Sequence, residues 1–174
     1  MQKARKIYLI GFMGSGKSTT GKNLASFLNW SFIDLDDRIE SIAGMRIPDI
    51  FAQKGETYFR QIESEALLST ASGSEIVVST GGGTPCFGDN MNFMLENGLT
   101  IYLKMTLSDL EKRLKNSSYE RPLLKDVAGR DLRKFISSKL AEREEWYSMA
   151  TIVADGMNSD ISDLYSLIKN RIIE

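Results

Sequence analysis

The chain contains no histidine. Imidazole is therefore excluded as a general base, a proton shuttle and a metal ligand, together with the nucleophilic triads that depend on it. A proton acceptor in a catalytic site has to be a carboxylate, a lysine, a tyrosine or the single cysteine, Cys86. One cysteine also excludes an intrachain disulfide, which fits a reducing compartment.

Long hydrophobic runs and an excess of one charge are missing as well. No stretch approaches the roughly 20 apolar residues that cross a membrane as a helix, and the formal net charge is -1. We therefore expect neither a membrane nor a nucleic-acid partner. The start of the chain is basic and then apolar, as in a signal peptide. Its apolar part is short and runs directly into a glycine-rich motif, so we interpret it as a first strand and expect a cytoplasmic protein.

The 174 residues, of which 42% are hydrophobic and 26% charged, are typical of one compact globular domain. Continuously apolar runs, as in strands covered on both faces, alternate with longer amphipathic patterns. We predict strands at 6–10, 31–35, 75–79, 99–104 and 150–154. We predict helices at 16–28, 37–54 with a break at Pro48, 56–71, 88–97, 106–115, 129–148 and 160–172. This alternation predicts an α/β fold with a parallel sheet and right-handed crossovers.

The segment GFMGSGKS, Gly11 to Ser18, matches the phosphate-binding pattern G-x-x-x-x-G-K-[ST]. It follows a predicted strand and opens a predicted helix, which is the context that the motif requires. Glycines let the backbone surround phosphates closely, and the helix N-terminus adds positive potential. Lys17 can reach the outer phosphates and the Ser18 hydroxyl can bind Mg²⁺. A plain glycine-rich turn is the alternative, but the context favours binding of a nucleoside triphosphate.

Three carboxylates, Asp34, Asp36 and Asp37, follow the second predicted strand. In a strand over 31–35, Asp34 and Asp36 would project to one side at its carboxyl end, where open α/β sheets bind ligands. Two neighbouring carboxylates repel unless a cation or hydrogen-bond donors neutralise them, so Mg²⁺ or a polyol would suit this pair. Asp37 and Glu40 form a capping-box pattern, which predicts Asp37 as a helix N-cap.

Two arginines, Arg60 and Arg143, fall inside apolar stripes of predicted helices. A buried arginine needs a partner, which is either a carboxylate of the protein or an anionic ligand. An internal ion pair would explain one such residue. Two of them, with Arg121 in the polar segment 115–129, favour clamps on an anionic ligand.

Two irregular segments could approach a ligand. Gly81 to Gly83 follow a strand, where they form either a flexible turn or a place of close contact between backbone and ligand. The segment 115–129 is either a plain surface loop or a mobile lid over a site.

Taken together, these motifs resemble the shikimate kinase family. The resemblance covers about residues 7 to 150 and rests on GFMGSGKST, DLDD, FR at 59–60, GGG at 81–83, ERPLL at 120–124 and REEWY at 143–147. It implies ATP-dependent phosphorylation of the 3-hydroxyl of shikimate, in the biosynthesis of aromatic amino acids. It also implies a three-layer P-loop kinase fold with a five-stranded parallel sheet in one domain, 1–174. The lid would span about 115–128 and the substrate-binding region about 34–62.

The resemblance also implies roles for individual residues. ATP would be bound by Gly14, Ser15, Gly16, Lys17, Ser18, Thr19, Arg113 and Arg121. Shikimate would be bound by Asp36, Arg60, Gly82, Gly83 and Arg143. Mg²⁺ would be held by Ser18 and Asp34, and Lys17, Asp36 and Arg121 would be catalytic, with Asp36 acting as a base or only orienting the hydroxyl. We expect small-molecule substrates and a monomer.

Three alternatives stay open. Gluconate kinases share the fold, but their pattern uses a histidine in the substrate segment, and this sequence has none. Nucleoside monophosphate kinases carry a D-G-[FY]-P-R element that is missing from the sequence. A non-catalytic relative should have lost the phosphate lysine, the substrate aspartate or the substrate arginines, whereas all are present here.

Overall fold

The computed structural model describes residues 4–116, 131–157 and 160–172. Its centre is a parallel sheet in the order β2-β3-β1-β4-β5. The strands are β1 (Lys6–Ile10), β2 (Ser31–Asp34), β3 (Ile76–Ser79), β4 (Leu99–Lys104) and β5 (Ile152–Asp155). Every strand pair is parallel. The predicted fold class, a five-stranded parallel sheet flanked by helices, is confirmed.

Helices connect the strands, as parallel pairing requires. They are α1 (Lys17–Leu28), α2 (Leu35–Ala43), α3 (Ile47–Leu68), α4 (Asn90–Asn97), α5 (Leu107–Lys115), α6 (Leu132–Tyr147) and α7 (Ile161–Ile168). Two short 3₁₀ helices lie at Ser69–Ser72, after α3, and at Thr84–Cys86, after β3. The predicted helices agree with these bounds within a few residues, except between β2 and β3.

Two hydrophobic cores lie on opposite faces of the sheet. Along β1, Ile7 and Leu9 belong to one core, with α1 and α7, whereas Tyr8 and Ile10 belong to the other. Alternate side chains of a strand point to opposite faces, so a strand covered on both sides must be apolar throughout. This explains why the predicted strands are continuous apolar runs.

The end of β2 differs from the prediction. The strand ends at Asp34, which is the N-cap of α2, and Asp34 Oδ1 accepts a hydrogen bond from the Asp36 amide at 3.1 Å. Asp36 and Asp37 occupy the first turn of α2, where the helix dipole favours carboxylates. Glu40 accepts instead from the Ile47 amide at 2.9 Å. The prediction of Asp37 as N-cap is therefore wrong. The strand predicted to end at residue 35 ends one residue earlier, so that Asp36 lies in a helix.

The boundary between the next two helices also shifts. Gly44, with a φ of 66°, ends α2, and Pro48 lies in the first turn of α3, where a missing amide proton costs little. The predicted break at Pro48 inside one helix is therefore wrong. The second part of the predicted helix 37–54 and most of the predicted helix 56–71 belong to α3, which is kinked at Gly55. The predicted lid lies outside the described residues apart from Lys115 and Asn116.

Candidate active site

The loop between β1 and α1 is shaped by its glycines. Gly11 has a φ of 144°, and a Cβ atom there would lie 2.8 Å from the Leu103 carbonyl oxygen. Gly16, with a φ of 90°, is the N-cap of α1. Neither position accepts a larger residue without strain. The sequence motif therefore forms a compact loop that ends at the amino end of a twelve-residue helix, a ready anion-binding site.

Lys17 and Ser15 bring polar groups into this loop. Lys17 is 8% exposed, and its ammonium donates to the carbonyls of Gly11 and Phe12, both at 2.9 Å. Ser15 Oγ is fully buried and has no hydrogen-bond partner among the described residues. A buried hydroxyl without a partner is costly, and a phosphate oxygen would be a suitable acceptor for it.

Ser18 and Asp34 lie on neighbouring elements, with Ser79 between them. Ser18 Oγ is 3.3 Å from Ser79 Oγ, and Asp34 is the register partner of Ser79 in the β2–β3 pair. Within the described residues, no cluster of three or more Asp, Glu, Cys or His side chains could hold a metal alone. One carboxylate with hydroxyls fits Mg²⁺, which keeps several waters and takes phosphate oxygens as ligands. The residues predicted for this metal therefore suit it. Ser79 was missed by the sequence reasoning.

Beside the phosphate loop lies a cavity of about 480 Å³. Its lining combines carboxylates, arginines, backbone of the glycine run and apolar side chains: Asp34, Asp36, Asp37, Arg46, Arg60, Glu63, Arg143, Gly81, Gly82, Gly83, Met13, Ser18, Ile47, Pro48, Phe51 and Phe59. A small ligand with a charged end, hydroxyls and an apolar ring face would find matching groups here. The predicted substrate residues Asp36, Arg60, Gly82, Gly83 and Arg143 are all in this lining.

Arg60 is held inside the cavity wall by protein carboxylates. Its Nη1 donates to Glu63 Oε2 at 2.7 Å, and its Nη2 donates to Glu56 Oε1 at 3.1 Å. Its guanidinium carbon lies 3.8 Å from the ring centroid of Phe87, and a Cβ atom on Gly83 would be 3.0 Å from Nη1. The internal ion pair and the ligand-facing position, treated as alternatives from the sequence, therefore occur together.

Glu63 is a residue of the cavity wall that the sequence reasoning missed. It is 1% exposed and accepts from Thr84 Oγ1 at 2.6 Å as well as from Arg60. Asn90 donates to the Thr84 carbonyl at 2.9 Å, so this turn is held from both sides. A glutamate three residues after Arg60, among apolar positions of the same helix, was the available signal.

Arg143 reaches the cavity from α6 and is 7% exposed. Its Nη1 is buried with no hydrogen-bond partner among the described residues, and its guanidinium carbon lies 5.5 Å from the ring centroid of Phe12. The inward orientation predicted from the apolar stripe is correct. A buried guanidinium nitrogen without an acceptor is the strongest sign in this site of an anionic ligand.

Tyr147, one turn after Arg143, touches the glycine run. Its hydroxyl donates to the Gly82 carbonyl at 2.5 Å, and its ring stacks on Tyr102 at 5.0 Å. Burial raises the pKa of Tyr147, which Arg143 partly opposes, so the phenol stays neutral. In the sequence, Tyr147 stands out only as the last residue of the REEWY motif.

Arg113 projects from α5 toward the other end of the phosphate loop. Its Nη1 donates to the Gly14 carbonyl at 3.3 Å and its Nη2 to the Gly156 carbonyl at 3.4 Å. It thus lies between the phosphate loop and the segment after β5. Arg121 lies outside the described residues.

Cys86 is half-buried near both cavity arginines. Burial raises the pKa of its thiol to about 11, against the opposing effects of Arg143 and Arg60. It is therefore protonated at neutral pH and unsuited to nucleophilic chemistry.

A family model described as shikimate kinase matches residues 13–172. The chain belongs to the shikimate kinase family. A shikimate kinase of Parabacteroides distasonis is 43% identical over 164 residues, 92% of this chain and 95% of that protein. The crystal structure of shikimate kinase from Bacteroides thetaiotaomicron has a TM-score of 0.89 and 35% identity, covering 94% of this chain and 98% of its own. Shikimate kinase from Acinetobacter baumannii in complex with shikimate has a TM-score of 0.85 and 29% identity, covering 98% and 96%.

These similarities confirm the predicted family and its kinase fold. They cover nearly the full length of the chain, so the similarity includes the phosphate loop, the cavity and α6 together. Among the described residues, no helix is both long and apolar enough to cross a membrane.

Proposed function

We propose that the chain is an ATP-dependent kinase that transfers a phosphoryl group to the 3-hydroxyl of shikimate. Membership of the family supports the reaction, and the cavity supports the acceptor. The observation that carries most weight is Arg143 at the wall of a small polar cavity beside the phosphate loop. Its guanidinium is buried, and its Nη1 has no partner in the part of the chain that the structure describes.

The cavity matches the parts of shikimate. We assign the carboxylate to Arg143 and Arg60, because charge-assisted bonds from guanidinium groups are strong and directional. We assign the hydroxyls to Asp36 and the backbone at Gly82 and Gly83. The ring would lie against apolar side chains of the wall.

The nucleotide would occupy the phosphate loop. We assign its phosphates to the backbone and side chains of 14–19, with Lys17 exchanging its carbonyl acceptors for phosphate oxygens, and its base to Arg113. Ser18 and Asp34 would hold Mg²⁺, which when bound neutralises phosphate charge. Arg121 and a lid over 115–128 would close this side.

The transfer needs positioning and charge stabilisation more than covalent catalysis by the protein. The acceptor oxygen bonds to the γ-phosphorus, the bond to ADP breaks, and the hydroxyl proton is released. Asp36, in the first turn of α2, would accept a hydrogen bond from that hydroxyl and orient it toward the phosphorus. Lys17 and Arg121 would stabilise the charge that develops on the transferred group.

The proposal also covers domain organisation, oligomeric state, location and partners. We propose one domain whose substrate-binding region covers about 34–62, a monomer, a cytoplasmic location and small-molecule partners alone.

The decisive experiment measures ADP release in the presence of Mg²⁺ with shikimate, quinate, gluconate and a panel of nucleoside monophosphates. Shikimate should give the highest kcat/KM. No turnover with shikimate, or a higher kcat/KM with another acceptor, would overturn the proposal.

A further inference from the structure

The glycine run lies between two ligand sites, and Gly82 lies against both the phosphate loop and Arg143. A Cβ atom on Gly82 would lie 3.1 Å from the Met13 amide nitrogen in the phosphate loop and 3.3 Å from Arg143 Nη1 in the cavity. A small displacement of Gly82 therefore changes the separation between the phosphate loop and the guanidinium that faces the acceptor.

Two sets of hydrogen bonds hold the run. On the α3 side, Thr84 is bonded to Glu63 and to Asn90. On the α6 side, the Tyr147 hydroxyl donates to the Gly82 carbonyl at 2.5 Å. The bond from Tyr147 therefore acts on Gly82 itself, whereas the bonds on the α3 side act on Thr84, two positions away.

Tyr147 and Arg143 are four residues apart on α6, so their side chains lie on one face of the helix. The bond to Gly82 consequently fixes α6 against the glycine run at the level of Arg143. We infer that Tyr147 is a positioning residue of the acceptor site, and that its bond to the Gly82 carbonyl sets the placement of Arg143 relative to the phosphate loop. This rests on the proposed function and adds a residue to it.

The bond suits this task because its donor is held rigidly. Tyr147 is fully buried and stacked on Tyr102, so its hydroxyl is held where the ring is held. Without the hydroxyl, the Gly82 carbonyl loses a buried donor and the run can shift. Misplacement by about 1 Å can reduce catalysis by about a hundredfold, so a shift of a fraction of that distance should reduce it about tenfold.

The chain offers a matched control. Tyr102 is the other ring of the stacked pair and is equally buried, but its hydroxyl donates to Glu144 at 3.2 Å. Tyr147→Phe and Tyr102→Phe therefore make the same chemical change in one aromatic pair. Only the first removes a hydroxyl that interacts with Gly82 and with Arg143.

The experiment measures kcat, the KM for shikimate and the Kd for ATP in the two variants and the unchanged chain, below the lowest of their melting temperatures. We expect Tyr147→Phe to lower kcat/KM for shikimate about tenfold with the ATP Kd within about twofold, and Tyr102→Phe to leave both within about twofold. A Tyr147→Phe variant with unchanged kcat/KM, a parallel loss of ATP affinity, or equal losses in both variants would overturn the inference. Absence of shikimate turnover in the unchanged chain would instead overturn the proposed function.

Discussion

Glu63 is expected to contribute more to stability than Glu56, the exposed carboxylate that pairs with the same arginine, Arg60. Its carboxylate is 1% exposed and accepts two short hydrogen bonds, from Thr84 at 2.6 Å and from Arg60 at 2.7 Å. In Glu63→Gln the side chain keeps its shape and can still bond to Thr84, whose hydroxyl can accept as well as donate, but its bond to Arg60 is no longer assisted by a negative charge. The Arg60 cation also loses its buried counter-charge.

The magnitude follows from these contacts. Removing one partner of a fully buried pair costs about 3–5 kcal/mol. Arg60 keeps Glu56 at 3.1 Å and its side chain is 13% exposed, which reduces the cost. We therefore expect Glu63→Gln to lower the free energy of unfolding by about 2–3 kcal/mol.

Urea unfolding of the unchanged chain and the variant measures this loss, and an unchanged slope with denaturant shows that only stability is affected. Glu56→Gln is the control, because Glu56 binds the same arginine but its side chain is 55% exposed. Its loss should stay below about 1 kcal/mol. Equal losses in the two variants would refute the reasoning, since burial would then not distinguish the two carboxylates.

Three further outcomes are expected. Asp36→Asn should lower kcat at least about a hundredfold while the ATP Kd stays within about threefold; a loss of ATP affinity as large as in Lys17→Ala would place Asp36 in the wrong site. Chelation of Mg²⁺ by EDTA should abolish ADP release, and added Mg²⁺ should restore it. Ser18 and Asp34 supply only part of the ion's ligands and the nucleotide phosphates supply others, so the protein alone should not retain the ion against a chelator. Activity that persists in EDTA would contradict this. Alkylation of Cys86 by iodoacetamide should be slow at pH 8 and rise about tenfold per pH unit toward pH 11, because only the thiolate reacts and burial raises the thiol pKa to about 11; a rate that levels off near pH 8.5 would contradict the raised pKa.

Local patterns allowed most of the fold to be predicted. The strands were found because burial on both faces makes them apolar throughout, and the phosphate loop was found because its glycines and Lys17 are contiguous in sequence. The end of β2 was missed for a local reason too: Asp34 and Asp37 can both cap a helix, and the choice depends on where the strand stops. Pairing of Asp34 with Ser79 on β3 determines that point, and a single segment does not contain this information.

Site residues could be predicted where the residue type and its local pattern indicate the role. They were missed where the role depends on a partner that is distant in the sequence. Arg143 was recognised because a cation inside an apolar stripe needs an anion. Glu63 and Tyr147 were missed because their partners, Thr84 and Gly82, are 21 and 65 positions away in the chain. Such contacts arise only when α3 and α6 pack on the same glycine run.

The kink at Gly55 divides α3 into two parts that contribute differently to the cavity wall. Before the kink, Ile47, Pro48 and Phe51 form the apolar side of the cavity; after it, Arg60 and Glu63 hold the charged end. Substitutions at Ile47 and Pro48 should therefore alter which ring the cavity accepts with the least effect on Arg60, whereas Phe51 packs on Phe59, the neighbour of Arg60. For the engineering of acceptor preference, this short first part of the helix is the segment to vary.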